Sequence, residues 1–364
     1  MSEFHKLKVK DVIHETEDCV TLLFDVDEKN KEHFNFTAGQ YLTIKAVIND
    51  EDVRRAYSIC TGQNEEDLGV SVKKVPNGKM STFINKSVHK GDVLEVMRPD
   101  GKFKLITQVD LQRDHYFFAA GSGITPVMSM IKSMLEGEPK STAYLLYGSK
   151  DESNIIFKQQ LDELQSHYEG QLIVSHSLSQ PMKSKSNGLL GILGKKSTNW
   201  SGLKGRIDSA KVAQFVQTNP AKSDQAEYYI CGPGSMIETV ETTLLGNGID
   251  EKNIHREYFT TADVAKTEVT QATAGASLTA ILEGKEINLT VEKGKTLLDT
   301  LLDAGHEAPY SCTSGACSTC VAKVNKGTVE MEACFALDDE EIEQGYILTC
   351  QAHPTCGEVE IEYE

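Results

Sequence analysis

The chain has 364 residues, 39% of them hydrophobic and 25% charged, and a formal net charge of −17. A single core stops growing well short of this length, so two or three domains are expected, in a composition ordinary for globular proteins. The acidity disfavours nucleic acid and anionic membrane surfaces as partners, no run approaches the roughly 20 apolar residues of a membrane span, and the polar opening MSEFHKLKVKDV lacks a signal-peptide stretch, so a soluble cytoplasmic protein is expected.

Residues 1–108 read as short β-segments separated by turn signals. CVTLLFDV, GQYLTIKAVI, RRAYSIC, LGVSVKKV and DVLEVMRP are such segments, with Gly62, Gly69, Gly78 and Gly91 in or near the breaks. Many short strands at this spacing predict an antiparallel β-barrel. Over residues 109–260 the rhythm changes to strand and helix in alternation. HYFFAAG, AYLLYGS, QLIVSHSL and EYYICG are the strands; PVMSMIKSMLEG, FKQQLDELQSHYEG, AKVAQFVQTN and SMIETVETTLLGNG are the helices. That pattern predicts an α/β domain with a mostly parallel sheet and right-handed crossovers. Gln180–Lys204, rich in Gly, Ser and Lys, is expected to be a mobile loop. Residues 261–276 are small and polar, as a linker is. Residues 277–364 then carry a hairpin pattern (SLTAILEGKEINLTVE), a helix (TLLDTLLDAG) and further strands, a compact α+β domain.

This last region is also the acidic one. Ser277–Glu364 holds 5 Lys against 17 Asp or Glu, a net of −12. Such a concentration suits docking to a basic patch on a protein partner, or simply keeps a small domain in solution.

Nine cysteines are present, and six of them, Cys312, Cys317, Cys320, Cys334, Cys350 and Cys356, fall within 45 residues. A disulfide framework does not fit a cytosolic chain of this size. Cys312-x4-Cys317-x2-Cys320, with Cys350 after 29 intervening residues, is the plant-type ligand pattern for a 2Fe-2S cluster. Four thiolates must converge on two irons, so three come from one tight loop and the fourth from a distant segment. The loop YSCTSGACSTC is small, and Gly315 allows close wrapping. A structural zinc site prefers paired C-x2-C knuckles, of which only one is present; reduced bystander thiols are the other alternative. Cys334 and Cys356 fit no ligand spacing.

With these motifs in place, the last 88 or so residues resemble a plant-type ferredoxin domain of β-grasp fold. The preceding 260 resemble the ferredoxin–NADP reductase superfamily. The order, reductase first and ferredoxin last, is similar to the reductase components of multicomponent oxygenases, that of phenylacetyl-CoA epoxidase in particular.

The resemblance places FAD on the barrel. Arg55-Ala56-Tyr57-Ser58 looks like the family's R-x-Y-S flavin motif. Alternate strand residues point the same way, so Arg55 can offer a cationic fork to the pyrophosphate and Tyr57 a ring face to isoalloxazine; the family places the serine hydroxyl, here Ser58, near flavin N5. Gly78-Lys79-Met80-Ser81-Thr82 resembles the second flavin motif, at a helix start that favours an anion. Val72, Lys73 and Lys74 occupy the strand between them, and the two lysines read equally as a solvated edge.

Ala119-Ala120-Gly121-Ser122-Gly123-Ile124-Thr125-Pro126 joins a strand to a helix and resembles the pyridine-nucleotide loop, with Gly121, Gly123 and Thr125 contacting the dinucleotide. Pro126 is expected at the first helical position. The next strand ends at Gly148 and Ser149, which belong to the same implied site. Cys231-Gly232-Pro233-Gly234-Ser235-Met236 resembles C-G-P-x-x-M, which implies Cys231 beside the nicotinamide and Gly232, Pro233 and Met236 around it; a buried strand cysteine is the ordinary alternative. His255-Arg256-Glu257-Tyr258-Phe259 looks like the family's closing motif, which implies a catalytic role for Glu257 and a cover over the flavin for Phe259. Ser179 matches a position that contacts the NADPH 2′-phosphate, but Gln180 stands where a cation is usual. Lys183, Lys185 or Arg206 are possible replacements, so NADPH is favoured over NADH on the whole-chain resemblance alone.

Nicotinamide gives up two electrons as hydride while a two-iron cluster takes one, and a flavin converts between them. The expected protein is therefore an NAD(P)H oxidoreductase delivering electrons to an oxygenase partner, with phenylacetate catabolism as the implied setting. A reductase serving a ring-hydroxylating or steroid-hydroxylating oxygenase is the alternative. A flavin-degenerate iron–sulfur sensor or binding module is the different class. The expected acceptor surface is the acidic stretch 338–343 near Cys312.

Overall fold

The computed structural model describes residues 3–183, 198–259, 269 and 272–363. The charged N-terminus, where no strand was expected, forms the 13-residue β1 (Phe4–Thr16). Its lysines hid a strand alternation: Lys6, Lys8 and Lys10 are exposed while Leu7 and Val9 are buried between them. The strands β2 (Cys19–Asp25), β3 (Tyr41–Ile48), β4 (Glu51–Ser58), β5 (Leu68–Lys73) and β6 (Val93–Met97) join it in the order β4-β3-β6-β1-β2-β5, antiparallel throughout. A bridge between Ile59 and Val70, with Cys60 N–H donating to the Gly69 carbonyl at 2.9 Å, closes the two edges into a barrel. Helix α1 (Lys79–Ser87) caps it, burying Met80 and Ile84.

The second domain is a six-stranded parallel sheet of β7 (Asp114–Ala120), β8 (Thr142–Ser149), β9 (Leu172–Leu178), β10 (Leu203–Lys204), β11 (Ala226–Gly232) and β12 (Ile254–Tyr258), ordered β10-β9-β8-β7-β11-β12. Side chains alternate faces. Phe117 and Leu145 pack with α2 (Ile124–Gly137) and α3 (Lys158–His167); Phe118 and Leu146 pack with α4 (Ser209–Thr218) and α5 (Gly234–Gly246). The chain winds outward from β7 to β10 and then returns to its other side with β11. The crevice at the carboxyl ends of β7 and β11 is thus the switch point where open α/β sheets bind ligands. Ala38, Cys60, Phe103 and Leu105 of the first domain belong to the same apolar cluster as α2, so barrel and sheet share a core.

Two stretches differ from expectation or escape it. The predicted loop Gln180–Lys204 ends in β10, which pairs beside β9; Trp200 Nε1 donates to the Leu203 carbonyl at 2.9 Å and fixes that turn. Residues 184–197 lie outside the described residues, as do residue 260 and residues 261–268, 270 and 271 of the predicted linker.

The third domain places β13 (Ala276–Leu282), β14 (Lys285–Val291), β15 (Val321–Lys326), β17 (Tyr346–Leu348) and β19 (Glu358–Tyr363) in the order β14-β13-β19-β15-β17, with a small pair of β16 (Val329–Met331) and β18 (Ala352–Pro354). Helix α6 (Leu297–Asp303) starts in a Thr296/Asp299 capping box and buries Leu297, Leu298 and Leu301. The short α7 (Asp339–Glu343) follows the cluster loop.

Candidate functional site

The long loop from α6 to β15 carries Cys312, Cys317 and Cys320. Its amides turn toward sulfur: Cys312 N–H donates to Cys317 Sγ at 3.5 Å and Ser314 N–H to Cys312 Sγ at 3.4 Å. Gly315 adopts φ 74°, and a Cβ there would stand 2.6 Å from the Ala333 carbonyl oxygen, so the loop closes only with glycine. Thr349 N–H and hydroxyl both reach the Cys320 carbonyl, at 3.1 and 3.0 Å, which brings the next residue, Cys350, beside the loop. Tyr363 hydroxyl in turn holds Thr349 at 2.9 Å, and Gln351 Nε2 donates to Cys350 Sγ at 3.8 Å.

Hydrogen bonds from Cys317 and Cys350 pull the Cys312 thiol down, and one from Cys350 pulls Cys320 down; the donors Cys317 and Cys350 are pushed up in consequence. The four sulfurs are thus mutual neighbours, all within reach of deprotonation by a metal. Among the described residues no three His, Cys, Asp or Glu side chains form a single-ion site. Two thiolates per iron is the geometry a 2Fe-2S cluster requires, and a soft four-thiolate set with amides aimed at sulfur fits it. Cys356 is held elsewhere, by Thr328 N–H at 3.2 Å.

A cavity of about 880 Å³ opens between all three domains. Arg55, Tyr57 and Ser58 of β4 form one wall; Lys73, Lys79, Met80 and Ser81 form the next. Ser122 and Thr125 face it from the βα turn, Glu257 and Phe259 from the end of β12, and Cys312 and Cys317 from the cluster loop. One space therefore touches both flavin motifs, the nicotinamide turn and two cluster ligands.

At α1, Gly78 caps without a side chain, and a Cβ there would meet Ser81 Oγ at 2.4 Å. The first-turn amides are left free for an anion. Lys79 pairs with Glu51, and Lys73 Nζ sits 3.7 Å from where a Gly121 Cβ would be. Other expected contacts lie back from the cavity. Val72 is buried in the barrel core, Lys74 pairs with Asp18 at 2.5 Å, and Thr82 stands on α1 just past the lining residues.

The nicotinamide turns are fitted backbone to backbone. A Cβ on Gly123 would stand 2.1 Å from the Cys231 carbonyl oxygen, and one on Gly232 2.7 Å from Met236 Cε. Gly121 takes φ 57°, with its carbonyl accepting from Tyr147 hydroxyl at 3.0 Å. Helix α2 begins at Ile124, so Pro126 is its third residue and not its first; the position still lies in the first turn, where its missing N–H costs nothing. Pro233 caps α5. Gly148 lies against Ile207, and Ser149 is buried with its hydroxyl unpartnered. Ser179 is exposed at the end of β9, its N–H on the Ser149 carbonyl at 3.0 Å. Lys183 and Arg206 are exposed, and Lys185 lies outside the described residues.

Cys231 is fully buried behind the cavity, its thiol pushed well up by burial and by the neighbouring Glu257. The two are register partners on β11 and β12. Glu257 Oε2 is buried without a hydrogen-bond partner, and burial pushes its carboxyl up to about 8. It is a neutral acid facing a ligand space. Tyr41, Arg54, Ser122 and Tyr310 also line the cavity and were not among the expected site residues. The place of Ser122 between two expected glycines was a signal in the sequence, whereas Tyr41 enters through its register with Ser58, and Arg54 and Tyr310 through the meeting of domains.

Residues 6–105 match the family model of an oxidoreductase FAD-binding domain, 117–242 an oxidoreductase NAD-binding domain, and 280–355 a 2Fe-2S iron–sulfur cluster binding domain. The chain is 33% identical over 366 residues to a subunit of the 1,2-phenylacetyl-CoA epoxidase of Escherichia coli K12, covering 100% of this chain and 99% of that one. It is 33% identical over 369 residues to the 3-ketosteroid-9-alpha-monooxygenase ferredoxin reductase component of Rhodococcus rhodochrous, covering 98% and 96%. A solved phthalate dioxygenase reductase superposes with a TM-score of 0.58 at 21% identity, over 99% of this chain and 98% of that one. Among the described residues no helix is long and apolar enough to cross a membrane. With three cofactor domains in this order and full-length relatives above 30% identity, the chain belongs to the ferredoxin–NADP reductase-like oxidoreductases with a C-terminal 2Fe-2S domain, the reductase components of oxygenase systems.

Proposed function

We propose that the chain passes electrons from NADPH through FAD and the 2Fe-2S cluster to an oxygenase component of the phenylacetyl-CoA epoxidase type. The observation that carries the electron path is the single cavity lined by both flavin motifs, the nicotinamide turn and the ligands Cys312 and Cys317. A bound flavin supplies the conversion of a hydride pair into single electrons. The chain's residues do the rest. Arg55 and the free amides of α1 hold the pyrophosphate, with Lys73 near the turn; Tyr57 offers its ring and Ser58 its hydroxyl to the isoalloxazine. Phe259, on the cavity wall, would cover the isoalloxazine and exclude water. Gly121, Gly123 and Thr125 take the dinucleotide phosphates, Cys231, Gly232, Pro233 and Met236 shape the nicotinamide end, and neutral Glu257 keeps its proton there. Cys312, Cys317, Cys320 and Cys350 hold the irons.

NADPH is proposed because the exposed Ser179 and Arg206 follow the carboxyl ends of β9 and β10, where they can take a phosphate in place of the cation missing at Gln180. The epoxidase assignment rests on the end-to-end match with the E. coli epoxidase component. An equal identity to the ketosteroid reductase component supports a steroid-hydroxylating oxygenase as the second reading. The test supplies this chain and NADPH to E. coli phenylacetyl-CoA epoxidase from which the matching component has been left out. Epoxide formation supports the first reading; none there, with electron delivery to the ketosteroid oxygenase, replaces it by the second.

A further inference from the structure

Arg54 precedes Arg55 on β4 and lines the same cavity, together with Tyr310 of the third domain. Arg55 is exposed, whereas Arg54 is only 7% exposed. Asp52, two residues back and therefore on the same face, accepts from Arg54 Nε and Nη2, each at 3.2 Å. With one edge held by Asp52, the guanidinium presents its planar faces to two rings: Phe4 at 5.2 Å and Tyr310 at 4.4 Å from the centroids. Phe4 belongs to the barrel. Tyr310 belongs to the third domain, two residues before Cys312.

The neighbouring contacts brace the same loop. Thr43 Oγ1 donates to Ser311 Oγ at 2.9 Å, and Tyr41 hydroxyl stands 2.9 Å from Thr319 Oγ1 while donating to Asp100 at 3.2 Å. The barrel thus grips residues 310, 311 and 319, on either side of the ligands that reach the cavity. Of these contacts only Arg54 combines a buried charge with a ring from each domain, a job that a planar, always charged guanidinium can do and an ammonium cannot.

Resting on the flavin-to-cluster path proposed above, we infer that Arg54 is a positioning residue for it, stacked on Tyr310 to hold the cluster loop against the flavin cavity. Arg54 makes and breaks no bond and takes no electron. Each electron gained by the cluster is one lost by the reduced flavin, and Arg54 fixes their separation.

The test uses anaerobic stopped-flow mixing of the holoprotein with NADPH, reading flavin bleaching and cluster reduction separately in wild type, Arg54→Gln, Tyr310→Leu and the double variant. Flavin bleaching in the same sample is the internal reference, and cluster reduction is scored relative to it. Cluster reduction slows about tenfold in each single variant, the bias that a desolvated cation–π contact gives a two-state equilibrium. The double variant is no slower than the slower single, because both changes remove one contact. Tyr310→Phe, which keeps the ring, behaves as wild type. Hydrogen exchange over residues 310–319 of the oxidised holoprotein, which needs no turnover, rises in Arg54→Gln and Tyr310→Leu. If Arg54→Gln fails to fold, the Tyr310 pair carries the test from the opposite side. Unchanged cluster reduction, unchanged exchange, or single effects that multiply in the double variant would each overturn the inference. A wild type whose flavin bleaches without any cluster reduction overturns the underlying path instead, so the two failures are distinct.

Discussion

The two ends of the central cavity are held in opposite ways. At the nicotinamide end, the turns after β7 and β11 meet backbone to backbone, Gly123 against the Cys231 carbonyl, with no room for a methyl group. At the cluster end, the third domain meets the other two through side chains: the Arg54–Tyr310 stack, two hydroxyl pairs and the Lys102–Glu341 ion pair with the barrel domain, and the Tyr258–Phe335 ring contact at 4.8 Å with the second. The first end is one rigid body and its geometry depends on shape. The second is a docking between domains, where single side chains decide the geometry.

The largest expected effect separates the ends outright. Cys320→Ser removes one thiolate ligand, so the reduced two-iron signal in electron paramagnetic resonance is lost while NADPH still bleaches the flavin. Loss of both together would mean the ends are not independent. Gly123→Ala comes next, because its Cβ would lie 2.1 Å from a main-chain oxygen that cannot move aside. Overpacking of this kind costs about 3 kcal/mol. Thermal melting should fall and hydride transfer should fail, with the cluster spectrum intact.

Glu257→Gln sharpens the nicotinamide end further. A carboxyl raised to about 8 is neutral at pH 7, so the amide keeps the neutral-pH hydride rate. In wild type that rate falls roughly tenfold per pH unit above about 8 as the carboxyl ionises, and in the variant it does not. The stability sign follows from the same shift. A folded pKa above the ordinary 4.5 gives stability that is complete below 4.5 and lost as pH rises to about 8, and melting of the flavin-free protein should show this loss in wild type only.

The smallest effect concerns the acceptor. Asp338 and Glu341 form a capping box on α7, and Glu341 also pairs with Lys102, so reversing their charge would unravel the helix. Asp339 and Glu340 are exposed and free of that duty. Asp339→Lys with Glu340→Lys should slow electron delivery to the oxygenase severalfold at low salt and not at high salt, as surface charge pairs do. Salt-independent delivery would remove this face from the docking surface.

Legibility in the sequence followed the range of the interactions. The cysteine spacing, the glycine turns and the barrel and α/β rhythms are local patterns, and they carried the fold and the lining of the cavity. The β1 strand was missed because its outward residues are lysines, which read as a charged tail until the burial of Leu7 and Val9 is seen. The reach of the Gln180–Lys204 loop was overestimated because β10 has only two residues, held by pairing that no short window contains. Above all, the interdomain grip joins Tyr41 to Thr319 and Thr43 to Ser311, residues more than 260 positions apart, and only the folded arrangement of domains brings them together. Arg54 and Arg55 look alike in sequence; both line the cavity, but only the fold buries Arg54 against Tyr310 of the third domain while leaving Arg55 exposed.

The central claim is that one cavity joins nicotinamide, flavin and cluster into a single path. Anaerobic mixing of the purified protein with NADPH, and separately with NADH, followed by visible and electron paramagnetic resonance spectra, tests it most directly. Flavin bleaching followed by a reduced two-iron signal, faster with NADPH, is the predicted result. Flavin bleaching with an intact but unreduced cluster would contradict it.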